Sequence, residues 1–517
     1  MSRQYGLDDD SVVVVIGSGA GGGTVAHELS RRGVDVVCLE AGARLGLKDI
    51  INDEAAMFPR FTWLDERIGE GDLPRDFPVW GCKTVGGTTM HWTAACPRFL
   101  PFELRARSTY GEMSDANLSD WPLAAEELDP WYDRAEDIMG VAGTHGIPPM
   151  PASNNALVLA AGARNIGYTQ IDTGHVAINP APRDGRAGCL QLGFCTSGCA
   201  TGAKWSTLYS EVPKAEGTDH FELRSGCMAV KIESAGRRAV AVHYRDATGT
   251  LRQQRARAIC VAGNVVETTR LLLNSASAQA PQGLGNSSGE LGRNYMRHVM
   301  VGVVAVMPGV VNMHEGAQVC GIVRDEMRHD PSRGFAGGFQ MHTCPFTPET
   351  LAKLMLPNSW GRKLAATLEN YRNMAALLIM GEDPAQPGNR VTLHPSRKDS
   401  NGLPVPVVSY RKHRNSQRLL EYARSKAHAL YESLGATEIY DMEGFPSTHN
   451  MGTARMGDDP SRFVCDRWGR THDLENLYIS DGSLFPSSGC ANPTLTIVAL
   501  ALRQADHLVA RLANGEI

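Results

Sequence analysis

The sequence predicts an α/β fold divided into at least two lobes, on three observations. The chain has 517 residues, more than one ordinary hydrophobic core accommodates. Residues 11–40 read as strand, glycine turn, helix, strand and acid. Residues 304–323 and 390–408 are β-rich, and a helical pattern over 416–434 follows them.

The N-terminal unit is the most specific of these. Ser11–Ile16 is a continuous β-branched run, the pattern of a strand buried on both faces of a parallel sheet. The turn Gly17-Ser-Gly19-Ala-Gly-Gly22 follows at once, and Thr24–Arg32 is helical up to Gly33. A second strand, Val34–Leu39, ends in Glu40. This is the length and order of a Rossmann-like βαβ unit. Gly17 permits the tight turn, Gly19 lets the backbone approach a pyrophosphate, and Gly22 allows close helix–strand packing. Glu40 stands where an acid accepts the hydroxyls of an adenosine ribose. The motif alone does not distinguish NAD from FAD.

Further along, Val79–Trp92 (VWGCKTVGGTTMHW) is a glycine-rich loop with hydroxyls and no helical period. Trp121–Tyr132 reads as a turn entering a helix that continues through Ala135–Met139. Arg255–Ser275 reads as a strand, a Gly-Asn turn and a helix. Met355–Asn373, rich in Lys, Arg and Leu, reads as a solvated helix or a lid. Asn389–His394 resembles a strand that would line a substrate cavity. Near the C-terminus His449 lies in STHNMGTARMG, and Asn492 precedes Pro493 and an apolar helical run. Asn492 thus reads as an N-cap with proline at the first helical position, a pole that stabilises negative charge.

Composition narrows the function classes. The chain is 42% apolar and 21% charged with a net charge of −5, which gives no electrostatic reason to expect nucleic acid or anionic membrane as partner. The longest apolar stretches, Val12–Ile16 and Leu495–Leu502, are too short for a transmembrane segment. No signal peptide is visible in MSRQYGLDDD, so the expected location is cytoplasmic, with periplasmic co-export beside a signal-bearing partner as the alternative. Twelve scattered cysteines are no disulfide scaffold.

With the glycine turn, the GGTT loop, AGNVVETTRLLL, LGRNYMRH and the HNMGTARMG…DGS…NPTLT pair quoted together, the sequence resembles the glucose–methanol–choline (GMC) family of FAD-dependent oxidoreductases. The wording is closest to gluconate, fructose and glucoside dehydrogenases and to pyranose oxidases. The resemblance implies a glutathione-reductase-type FAD lobe from residues 1–100, 180–300 and 445–517. A substrate lobe, built on an antiparallel sheet, would come from 100–180 and 300–445. It implies that Gly17, Gly19, Gly22 and Glu40 hold the ADP half of FAD, with Val230 meeting the adenine through its backbone. Gly86, Gly87 and Thr88 would lie along the pyrophosphate and flavin, Asp481 and Gly482 beside the ribityl chain, and Asn492, Pro493 and Thr494 at the pyrimidine edge. His449 would be the general base and Asn492 the group that orients the substrate oxygen. Histidine suits the task because its pKa lies near neutrality.

The expected reaction is oxidation of a CH–OH group on a sugar, glycoside or sugar acid. The electrons would pass to a quinone, a cytochrome subunit or oxygen, and a small partner subunit is among the expectations. Oxidation of an aromatic alcohol and a non-redox FAD-retaining lyase are the alternatives. His91 falls where pyranose oxidases carry a histidine covalently bonded to the flavin; the alternative is a packing histidine. Cys189, Cys195 and Cys199 have a spacing similar to that of dehydrogenases with a three-iron cluster. A zinc site, which lacks a fourth ligand, and buried thiols are the other readings. His145, His298 and His472 are read as structural or surface residues.

Overall fold

The protein is described by a computed structural model covering residues 3–357 and 359–517. A five-stranded parallel sheet lies at one end, in the order Leu477–Ile479, Ala258–Val261, Val13–Ile16, Val36–Glu40, Phe221–Ser225. Its central strands are fully buried, as the unbroken Val/Ile run requires. The helix Ala20–Ser30 follows the first strand and packs against the C-terminal helix Thr494–Ala513. The sheet therefore joins residues from both ends of the chain.

A six-stranded antiparallel sheet forms the second layer. Its order is Glu438–Met442, Val299–Val306, Met374–Gly381, Phe339–Thr343, Ile322–Val323, Ile171–Asp172. Helices Asn154–Asn165 and Arg414–Glu432 cover its outer face, with Leu419, Ala423, Ala427 and Leu430 buried against it at helical spacing. A hairpin sheet (Met228–Ala235, Arg238–Arg245, Leu251–Arg255) and a mixed sheet (Arg390–Lys398, Pro404–Tyr410, Ile68–Gly71) complete the fold.

Several elements depart from expectation. The β-rich stretch 304–323 holds only the end of one strand, to Val306, and the short Ile322–Val323; Pro308 and Gly309 end the first. The strand expected at Asn389–His394 forms from Arg390 and pairs with Pro404–Tyr410. In the 355–373 stretch a helix forms at Gly361–Glu369 with no buried residue, as a solvated helix would; Asn358 lies outside the described residues. Two contacts join segments expected in different lobes. The helix Ala125–Met139 packs on the C-terminal helix, and Ile68–Gly71 adds a strand to Pro404–Tyr410. Among the described residues no helix is long and apolar enough to cross a membrane.

Candidate active site

An elongated cleft runs along the C-terminal ends of the parallel strands, lined by Gly17, Ser18, Gly19, Glu40, Gly87, Thr88, Asn264, His449, Asp481, Gly482, Pro493 and Thr494 among others. Its floor is backbone. Gly17 has φ +95°, a left-handed conformation that glycine adopts without strain. A Cβ on Gly87 would meet Gly19 Cα at 3.0 Å, so the two glycine turns face each other main chain to main chain. A Cβ on Gly21, which is outside the expected triplet, would sit on the Ser480 carbonyl oxygen. Gly22 is needed in the same way, because a Cβ there would meet the Gly17 carbonyl.

Side chains brace this floor. Glu40 is buried, and its Oε2 accepts from Ser18 N (3.0 Å) and Ser18 Oγ (2.6 Å) while Oε1 accepts from Gly42 N (2.8 Å). Burial pushes its carboxyl up in pKa, and the three donors pull the other way. One lone-pair position on Oε1 is left for a ribose hydroxyl. Asn264, at φ +72°, caps the helix Val265–Asn274 by accepting from Val266 N and Glu267 N. Asp481 accepts from Thr268 Oγ1 (2.5 Å) and Ser483 N (2.9 Å), which fixes its loop against that helix. The hairpin contributes Cys227, Met228 and Ala229 to the lining, and not Val230. Gly86, at φ +96°, turns the GGTT loop without lining the cleft.

His449 reaches the cleft from its own strand, and the chain places a second imidazole beside it. Met296–Arg297 pairs antiparallel with Asn450–Met451, with Arg297 opposite Asn450. The next residue, His298, is therefore brought to His449. Their Nδ1 atoms are 2.9 Å apart and the rings meet edge to face at 5.0 Å. His298 is thus a buried partner of His449 and not a surface residue. Its Nε2 lies 3.4 Å from the Ser488 carbonyl, which can only accept, so Nε2 carries the proton. His298 Nδ1 is then a lone pair that accepts from His449 Nδ1–H, and the lone pair of His449 falls on Nε2. Burial pushes His449 well below the usual histidine range, and His298, His342 and Arg297 act in the same direction. Burial likewise brings His298 down to about 4 and His342 down to about 3. Burial therefore favours the neutral form of all three imidazoles.

Asn492 is not the helix cap that the sequence implied. The helix begins at Thr494 with Pro493 as its cap residue, and no side chain caps it. Instead Asn492 Oδ1 accepts from Gln340 Nε2 at 2.9 Å, and Gln340 Nε2 also donates to the Cys490 carbonyl at 2.8 Å. Gln340 thereby fixes the amide of Asn492 with its NH2 as a free donor, apart from a 4.0 Å approach to Met380 Sδ. The uncapped pole of a 20-residue helix still lines the cleft through Pro493 and Thr494.

The remaining candidates are more remote. His91 is buried and stacks on Trp80 at 4.7 Å and 16°, its Nε2 has no partner, and it does not line the cleft. Burial brings its pKa down to about 3. Cys189, Cys195 and Cys199 are free and half-buried. Among the described residues, two sets of three potential ligand atoms lie within 4.8 Å of one another, Glu103/Glu382/Cys490 and Asp133/Glu136/His145, and the three thiols form no such set. A single-ion site is therefore not assembled there. Instead Lys204 Nζ binds the Met90, Trp92 and Cys195 carbonyls at 2.9, 2.9 and 2.5 Å, tying the cysteine loop to the GGTT loop. His472 bonds the Gly457 carbonyl and His145 bonds Glu136, both structural contacts.

The parallel sheet and the paired glycine turns define a dinucleotide-binding site, and His449 lines the same cleft as a helix start. The residues fit FAD: two facing turns free of side chains for the pyrophosphate, Glu40 for the ribose, and a helix start for the flavin. Two family models, each described as GMC oxidoreductase, match residues 9–300 and 384–501. The chain belongs to the GMC oxidoreductase family, and it is an FAD-dependent enzyme acting on CH–OH donors. It is 31% identical to the 2-methyl-1,2-propanediol dehydrogenase of Mycolicibacterium austroafricanum, over 98% of this chain and 96% of that one. It is 32% identical to the paromamine 6'-oxidase of Streptomyces fradiae, over 98% and 93%. Its fold matches a formate oxidase variant from Aspergillus oryzae RIB40 with a TM-score of 0.71 at 13% identity, covering 99% and 100% of the two chains.

Proposed function

We propose that the protein oxidises a CH–OH group of a sugar, glycoside or related polyhydroxy compound to the carbonyl, with His449 as general base. The observation that carries this is the His298–His449 contact, which leaves the Nε2 lone pair of a neutral His449 available beside the cleft. His449 Nε2 takes the hydroxyl proton, and the Asn492 NH2 donates to the substrate oxygen as charge builds on it. Gln340 keeps that donor pointed, and Pro493 and Thr494 present the positive helix pole to the cleft. FAD, when bound, supplies the acceptor for the hydride and later passes its electrons to a quinone, a cytochrome partner or oxygen. The relatives named above act, by their names, on a diol and an aminoglycoside, which supports a hydroxyl-rich substrate.

The test is anaerobic mixing of the holoenzyme with sugars, glycosides, small diols and aromatic alcohols. Bleaching of the flavin absorbance with the polyhydroxy compounds is the expected result. Turnover of a cyanohydrin without bleaching would instead favour the lyase. Admitting air then shows whether oxygen is the acceptor. His91, stacked on Trp80 and outside the cleft lining, is read as a packing histidine; a yellow supernatant after acid precipitation is expected, and colour retained in the pellet would instead show a covalent flavin link.

A further inference from the structure

We infer that the side-chain amide of Asn450, held from behind by Tyr295, donates a hydrogen bond to the ring of the bound flavin and makes that ring a better hydride acceptor. The inference needs FAD in the cleft and does not depend on which alcohol is oxidised.

The placement starts with strand pairing. Tyr295 immediately precedes Met296–Arg297, the short strand that pairs with Asn450–Met451. Its ring is 0% exposed, packed among Val79, Val265, Val391 and Val408, and meets Tyr410 edge to face at 6.2 Å. Its main-chain N–H donates to the Asn389 carbonyl at 2.9 Å. With ring and backbone both fixed, the hydroxyl reaches Asn450 Oδ1 at 2.5 Å. Burial pushes the phenol up to about 12, so it keeps its proton and is the donor in this bond.

An amide has an acceptor end and a donor end, and this bond commits the first. The Asn450 NH2 is turned the other way. Among the described residues it meets no protein acceptor, yet it is not sealed in the core, as the unpaired Ser447 Oγ is. It opens onto the nucleotide cleft, whose wall Asn450 forms together with Thr448, His449 and Gly482. Gly482 closes the main-chain side, since a Cβ there would meet the Asn450 carbonyl oxygen at 2.7 Å. A buried phenol that holds an amide by its oxygen and leaves the donor end free in a cofactor cleft is not required by packing.

The chemistry selects the part of the cofactor. Glu40 and the facing glycine turns serve the ribose and the pyrophosphate, and Asn450 instead adjoins His449. The flavin ring presents acceptors at N1, C2=O, C4=O and N5, and it becomes electron-rich on accepting a hydride. A donor placed against such an atom binds the reduced ring more strongly than the oxidised one, which favours reduction. A ribityl hydroxyl would accept the same hydrogen and leave the potential unmoved.

The test is made on purified holoenzyme with no alcohol present. The two-electron midpoint potential is measured by equilibration with a reference dye. Sulfite, which adds to the flavin ring and leaves it anionic, is titrated against the flavin absorbance. Asn450→Leu is expected to weaken sulfite binding about 10-fold or more and to lower the potential by about 30 mV for each tenfold change. Tyr295→Phe keeps the amide but frees it to turn, so a smaller shift in the same direction is expected. If Asn450→Leu purifies without FAD, Asn450→Ser, with its shorter donor, is read in the same way. A wild-type potential and sulfite affinity in a flavin-loaded Asn450 variant overturn the inference; reduced FAD content with both unchanged assigns the amide to the ribityl chain or pyrophosphate instead. A Tyr295→Phe protein equal to wild type in both measurements removes the tyrosine from the arrangement. Because no alcohol enters these measurements, failure of the alcohol-oxidising reading is seen separately, as absence of bleaching.

Discussion

The cleft floor and the catalytic face are built from different materials. The floor is main chain: facing glycine turns, two helix starts and a carboxylate that braces a loop. The catalytic face is side chain: His449 bonded to His298, and Asn492 bonded to Gln340, the two pairs spanning 151 and 152 residues of sequence. A main-chain cradle accepts a ligand common to a whole family because every backbone presents the same groups. A side-chain face is where one chain can differ from another. Differences in substrate choice are therefore expected on the side-chain face rather than in the glycine loops.

The largest effects should separate the two kinds of glycine in the floor. Gly21→Ala drives a methyl into the Ser480 carbonyl and is expected to give no soluble holoenzyme. A Cβ on Gly19 meets nothing closer than 3.8 Å, so Gly19→Ala should fold yet purify with little flavin, as the ratio of flavin to protein absorbance would show. Comparable flavin content in both would break the distinction between packing and ligand approach.

His449→Ala should retain FAD and lower the rate of flavin reduction about 10²–10⁴-fold, the usual contribution of a general base. A near-normal rate in rapid mixing would remove His449 from that role. His298→Ala should cost about tenfold, roughly one hydrogen bond's worth of orientation. His298→Asn, whose Oδ1 can replace the acceptor, should recover part of that loss, and a variant whose packing alone is damaged would not recover.

The smallest effect is on pH dependence. The base must be neutral to act, so activity is lost as pH falls through its pKa. Because burial and neighbouring groups depress that pKa, the reduction rate should be flat above the ordinary histidine value of about 6.5 and decline only on the acid side. An inflection at or above that value in a pH–rate profile would contradict the buried, neutral pair.

The same division explains how much was legible in the sequence. Gly17, Gly19, Gly22 and Glu40 are tied to one another by local geometry, so their spacing carries the information. His449 and Asn492 were visible through their family motif, although the cap assigned to Asn492 was wrong because Gln340, far away in sequence, takes its oxygen. His298, Gln340 and His342 carry no spacing relation to His449. The one available signal was the alternation in FQMHT, where polar residues interrupt an otherwise apolar strand. That pattern reads equally as a sheet edge facing water until the opposing loop is known.

The strand order has a consequence for how the protein is made. Val13–Ile16 is the centre of the parallel sheet, yet its neighbour Ala258–Val261 lies some way along the chain, and Leu477–Ile479 beyond that comes almost at the end. While a ribosome is still extending the chain, the nucleotide-binding unit emerges with one of its β-branched strands unpaired along an edge, a template for wrong partners. Long-range pairing of this kind is slow. Flavin therefore has no finished site to enter until synthesis is nearly complete, and the yield of holoenzyme in cells should depend on chaperone supply during translation more than on flavin supply after it.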